Sequence, residues 1–300
     1  MKTVFELQKT LRSFCRMDAH VHTHLCDGKP EMTVRAIAER AEKKELDGVI
    51  LTPHFHKRVS DESETLYTDT NVKILQDLRE EIDEYENNGG KVKILLSAEV
   101  DILSVAGDLA LSPSKEAEEA LDLITPTMNY NPILPLHAVH LTYGKDIDSL
   151  HDSGEYTAMV KNAGGIEPIL EAMYEAEAQA ILRSPYPCML GHFFAAHAMA
   201  TRRYNWFGIK EMHLPILKEC GKRVVEACKR VGASIDITGI HMFPSESIDE
   251  RKQLDGFLHE FQCWFLEECR KADLIVCPGS DAHSLEKVGD SVCYYELFRR

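Results

Sequence analysis

Met17-Asp18-Ala19-His20-Val21-His22-Thr23-His24-Leu25-Cys26-Asp27-Gly28 runs a short β-prone segment straight into histidines and acids. Residues two apart on an extended strand point to the same face, so His20 and His22 can reach one metal ion together. Asp27-Gly28 marks a turn just past the strand end and would set another hard ligand beside them. A His-x-His pair alone supports little. It gains weight only if other strand ends carry similar groups.

They do. Apolar runs at Met17–Val21, Val49–Thr52, Val92–Ser97, Leu121–Thr125, Cys188–Gly191, Ala233–Thr238 and Leu274–Cys277 read as strands. Helical spacing marks Met32–Leu46, Asn71–Glu86, Gly165–Leu182, Ile216–Arg230 and Leu254–Lys271 between them, and Leu7, Leu11 and Phe14 suggest a short N-terminal helix. Strand–helix alternation implies parallel pairing with right-handed crossovers. Some seven units suit a barrel-like closed sheet, with an open doubly wound sheet as the alternative. Five of the runs end in His, Glu or Asp: the opening motif, Pro53-His54, Ala98-Glu99, His192 and Ser280-Asp281-Ala282-His283. In a parallel barrel all these ends open on one face, where active sites form. Imidazole and carboxylate together suit Zn, Mn or Fe better than the all-oxygen sites of Ca or Mg.

Composition narrows the partners. The 300 residues carry a formal net charge of −15, with 44% hydrophobic and 28% charged residues. No basic stripe is present to release counterions from a polyanion, which argues against nucleic acid. No apolar run is long enough to span a bilayer, and Met1–Arg16 lacks the apolar core of a signal peptide. Nine cysteines without a CxxC pair favour free thiols, and the expected location is the cytoplasm. Lys57–Thr68 and Pro126–Ser153 break the strand–helix rhythm and read as long loops that would shape a substrate site.

The set Asp18-x-His20-x-His22 with Asp27-Gly28, Thr52-Pro53-His54, Glu99, Gly191-His192 and Ser280-Asp281-Ala282-His283 resembles the PHP (polymerase and histidinol phosphatase) family, in its stand-alone phosphoesterase branch. The resemblance spans nearly the whole chain in order. It implies a distorted (βα)7 TIM-like barrel of α/β class over residues 1–300, with 1–16 as a helical extension and 126–153 as a loop insertion. It also implies two to three divalent transition-metal ions. By that resemblance His20, His22, Glu99 and Asp281 hold one ion. Glu99 bridges to a second, with His192 and a histidine after the fourth strand, for which His140 is favoured and His137 is the alternative. Asp27, His54 and His283 hold the third.

The activity implied is hydrolysis of a small phosphomonoester by a metal-activated hydroxide, with His20, His22, Asp281 and His283 as catalytic residues. The alternatives are a phosphodiesterase or nuclease of the same family, or a non-catalytic metal-binding regulatory domain. Arg202, Arg203 and Arg58 are candidate phosphate clamps because guanidinium binds phosphate in a bidentate way, and His241 could contact substrate from the sixth strand end. His24 and His56 should face away from the ions. His151, His197, His213 and His259 have no partner pattern and are expected at the surface, while Trp206 and Trp264 are expected to pack.

Overall fold

The computed structural model describes residues 1–26, 28–55, 72–128, 155–193, 209–238 and 256–290. Nine strands lie among them: β1 Met17–Val21, β2 Gly48–Leu51, β3 His54–Phe55, β4 Lys93–Leu96, β5 Glu99–Asp101, β6 Thr125–Thr127, β7 Met189–Leu190, β8 Ser234–Thr238 and β9 Val276–Gly279. The helices are α1 Val4–Ser13, α2 Val34–Lys43, α3 Val72–Asn87, α4 Lys115–Ala120, α5 Glu155–Asn162, α6 Ile166–Arg183, α7 Leu214–Val231 and α8 Gly256–Lys271. Among the described residues, no helix is long and apolar enough to cross a membrane.

Among the described residues every ladder between these strands is parallel, as alternating strands and helices require. The strands form three small sheets, ordered β1-β2-β4, β3-β5-β6 and β7-β8-β9. Single bridges join the sheet edges. Ile124 pairs with Cys188, and Val21 pairs with Ala282, both in parallel. Backbone bonds reinforce the second seam: Asp281 N–H donates to His20 O at 2.9 Å and His22 N–H to Ala282 O at 3.0 Å. Among the described residues the fold is therefore α/β, with the nine strands paired in parallel, one isolated antiparallel bridge between Ile102 and Leu109, and TIM-like strand–helix alternation.

Local sequence chemistry explains the element ends. Thr3 caps α1 in a reciprocal pairing with Glu6, and Thr33 accepts a hydrogen bond from Ala36 N–H to start α2. Gly232 ends α7 at φ +72°, the left-handed cap that an L side chain occupies only at a cost. Leu7, Leu11 and Phe14 seat α1 against Met17, Ala19, Ile50, Leu95, Met189 and Cys277. That apolar cluster lies toward the start of the strands, so α1 is part of the packed core. The polar cluster described below occupies the other end.

Two sequence expectations need correction. The fourth strand is Thr125–Thr127, not Leu121–Thr125. Ala117 and Ala120 belong to α4, and Leu121 is its C-cap. Pro126 reads as a breaker in the sequence, but it lies inside β6, and the long loop therefore cannot begin there. The Pro126 carbonyl accepts from Gly191 N–H at 2.9 Å, so its missing N–H falls on the side facing two-residue β7, where few ladder bonds are lost. The second correction is His213, which is buried, its Nδ1 accepting from Lys210 N–H at 2.9 Å. Trp264 does pack, stacked on Phe261 at 5.8 Å.

Candidate metal centre

The site is assembled by register. His54 and Glu99 are direct partners in the β3–β5 ladder, and Glu99 is in turn opposite Thr125. β3 and β5 are short second strands that resume after breaks at Thr52-Pro53 and Ser97-Ala98. β1 brings His20, with His22 just past its end, and its register shifts between Asp18 and Val21. Asp18, fully buried, ties this strand to the last motif. It accepts from Ser280 N–H at 2.8 Å, from Ser280 Oγ–H at 2.6 Å and from Gly289 N–H at 2.7 Å. Burial pushes the Asp18 carboxyl up to about 6, although its hydrogen bonds to Ser280 and Gly289 pull the other way.

Glu99 stands at the centre. One oxygen, Oε1, lies 2.8 Å from His192 Nε2. The other, Oε2, lies 3.0 Å from His20 Nε2, 3.1 Å from His54 Nδ1 and 3.6 Å from His22 Nε2. His22 Nε2 also meets Asp281 Oδ1 at 2.8 Å. The imidazole of His22 stacks on His283 with ring centroids 3.9 Å apart and on His54 at 4.4 Å. Among the described residues, two groups have ligand atoms within 4.8 Å of one another and could hold an ion: His20, His22 and Glu99, and His22, His54 and His283. His22 thus serves both groups. Its exposure and that of His20 are 0%, against 39% for the His283 side chain and 16% for that of Asp281. The cluster is buried at the back and more exposed beside His283.

The electrostatics follow from this crowding. Burial would raise the Glu99 carboxyl, but His54, His20 and His192 hold it well below the usual carboxylate range. Burial likewise opposes a charge on His20, yet Glu99 and Asp236 outweigh it and push the imidazole up to about 10. Without metal, His20 therefore keeps its proton at neutral pH. An ion needs the Nε2 lone pair, so loading must expel that proton. We expect metal affinity to rise from pH 6 to pH 9, with proton release visible as a buffer-dependent heat in titration calorimetry. A binding heat independent of buffer would contradict this.

Backbone geometry points to the same place. Among the described non-glycine residues with positive φ are His192 at +25° and Asp281 at +55°. Such conformations cost of order 1–3 kcal/mol and persist where the surroundings over-determine them. For His192 the surroundings are visible: the next residue, Phe193, is buried, stacked on Phe265 at 4.0 Å and met edge-on by Tyr174.

Residues 18–230, more than half of the chain, match the family model described as PHP domain. The chain belongs to the PHP family. Solved structures agree on the fold. A histidinol phosphate phosphatase from Lactococcus lactis, in complex with zinc, L-histidinol and phosphate, is 13% identical over 94% of this chain and 92% of its own, with a TM-score of 0.57. A Listeria monocytogenes protein assigned as a histidinol phosphatase is 14% identical over 93% of this chain and 100% of its own, with a TM-score of 0.62. No curated protein sequence matches the chain.

Of the residues singled out in this PHP chain, His20, His22, His54, Glu99, His192, Asp281 and His283 come together. Asp27, Arg58, His137, His140, Arg202, Arg203 and His241 lie outside the described residues, as do His56, His151, His197 and Trp206. His24 turns away from the cluster, toward Glu81 at 3.3 Å. Sequence reasoning passed over Asp236, whose carboxylate meets His20 Nδ1 at 2.8 Å. Its only signal was an acid at the centre of Ser234-Ile235-Asp236-Ile237-Thr238, an otherwise apolar strand interior.

Proposed function

We propose that this PHP protein is a metal-dependent phosphoesterase that hydrolyses a small phosphomonoester with two or three divalent ions, zinc, manganese or iron. The observation that carries this reading is Glu99, a fully buried carboxylate with its two oxygens turned to different sets of histidines. A bridging ligand between two ions needs that arrangement, and imidazole–carboxylate donor sets fit such metals. His20, His22 and Asp281 would share one ion with Glu99. His192 and His140 would complete a second, and His54, His283 and Asp27 a third. The ions, when bound, supply an acidified water and positive charge for the phosphoryl oxygens.

The chain's own residues do the rest. Burial of His20, His22, His54 and Glu99 keeps bulk water from the rear of the cleft, where charge interactions are strongest. His283 and Asp281 line the open side, which is where an entering phosphate would arrive. Arg58, Arg202, Arg203 and His241 remain our candidates for holding the substrate. The two seam bridges support a closed (βα)7 ring, and we propose that residues 1–300 form a single domain around it. The ligands of the Lactococcus lactis structure make histidinol phosphate the first substrate to try.

The test is hydrolysis by metal-reconstituted protein of a phosphomonoester panel, a diester and single-stranded DNA. We expect monoester turnover that a chelator abolishes and added Zn²⁺, Mn²⁺ or Fe²⁺ restores. Cleavage of the diester or DNA without monoester turnover would contradict the proposal, as would activity indifferent to chelation.

A further inference from the structure

Asp236 sits in the middle of β8, a strand that supplies no ligand to the proposed centre, and it is fully buried. Its Oδ2 accepts from His20 Nδ1–H at 2.8 Å and from the backbone N–H of His192 at 3.1 Å. Its own carbonyl accepts from Phe193 N–H at 3.2 Å. A carboxylate can only accept, so Nδ1 of His20 carries a hydrogen toward Asp236, and the hydrogen an incoming ion displaces is the one on Nε2. That leaves Nε2 aimed at Glu99, 3.0 Å away. The second contact falls on the strained residue: the N–H that Asp236 captures belongs to His192, at φ +25°.

Gly279 makes room for this. A Cβ there would fall 2.5 Å from Asp236 Oδ1 and 2.7 Å from His20 Cβ. The carboxylate and the imidazole can meet only because β9 carries no side chain at that point. One buried acid therefore fixes a side chain from β1 and a backbone turn after β7, the two histidines on either side of Glu99.

We infer that Asp236 is the positioning residue of the metal centre, setting the tautomer and ring plane of His20 and the backbone of His192. This rests on the reading that those two histidines hold metal. Carboxylates that accept from the far nitrogen of a ligating imidazole typically govern metal affinity by about 10–100-fold.

The experiment compares wild type, Asp236→Asn and Gly279→Ala for Zn²⁺ affinity by chelator competition. The His20 Nδ1–H resonance of the zinc-loaded proteins is followed after ¹⁵N-histidine labelling. Asp236→Asn keeps the shape and removes the charge; Gly279→Ala leaves the acid intact and displaces it. The expected result is zinc affinity about 10–100-fold lower in both variants, with the strongly hydrogen-bonded Nδ1–H signal moved upfield or broadened by exchange. A purely structural acid would alter the unfolding midpoint and leave that resonance in place. Zinc affinity and the resonance both unchanged in Asp236→Asn would overturn the positioning role alone. Failure of wild type to bind zinc would instead overturn the metal reading beneath it.

Discussion

Glu99→Gln is expected to lower monoester turnover by at least about 100-fold and to strip most of the metal through gel filtration. The substitution keeps the volume, so packing is spared and the change is electrostatic. Four imidazoles converge on this one carboxylate, His192 on Oε1 and His20, His54 and His22 on Oε2. An amide replaces one acceptor oxygen with a donor and removes the charge that two cations would share. Loss of the negative charge also lets His20 release its proton more readily. Metal content by atomic emission and kcat/KM on the same preparation separate these effects. A variant with full metal and full activity would show that Glu99 bridges nothing.

Glu177→Met is expected to stabilise the protein, by an amount that grows with pH. Glu177 lies on α6, is buried, and its Oε2 has no hydrogen-bond partner among the described residues. Burial pushes its carboxyl well above the usual range. The folded chain holds that proton to higher pH than the unfolded chain, which ionises the group once the pH exceeds about 4.5. Above that point the unfolded state binds fewer protons. Stability therefore falls as pH rises, by up to about 1.4 kcal/mol per pH unit, until the folded carboxyl itself ionises. Methionine removes the linkage and fills the volume with apolar atoms. Urea unfolding at pH 5.5, 6.5 and 7.5 should give a gain that widens with pH, by up to about 1.4 kcal/mol for each unit. A gain constant across that range would contradict the assignment of a neutral buried acid.

How much of this could be read from the chain depends on how local each determinant is. The opening strand was legible because Met17–Val21 is continuous and its histidines alternate, a period-2 signal that needs no tertiary context. The resumption of strand at His54 and at Glu99 was not legible, because two- and three-residue strands are defined by their partners, here each other. Pro126 hid the fourth strand, since its harmlessness depends on which side of the ladder the missing N–H faces. Asp236 was the largest omission. Its role exists only once β8 lies against His20, 216 residues earlier, and next to a glycine at 279. The burial of His213 is hidden from the sequence for a similar reason, as it belongs to a 3₁₀ turn packed at the start of α7.

The catalytic predictions rest on one claim, that the strand-end histidines and acids of this PHP chain gather around metal. Anomalous diffraction from crystals of the protein purified without chelators tests that claim most directly. The expected result is anomalous peaks bounded by His20, His22, His54, Glu99, His192, Asp281 and His283, with Glu99 touching two of them. Crystals of catalytically active protein with no anomalous peak in that cluster, or with the metal held elsewhere, would contradict it.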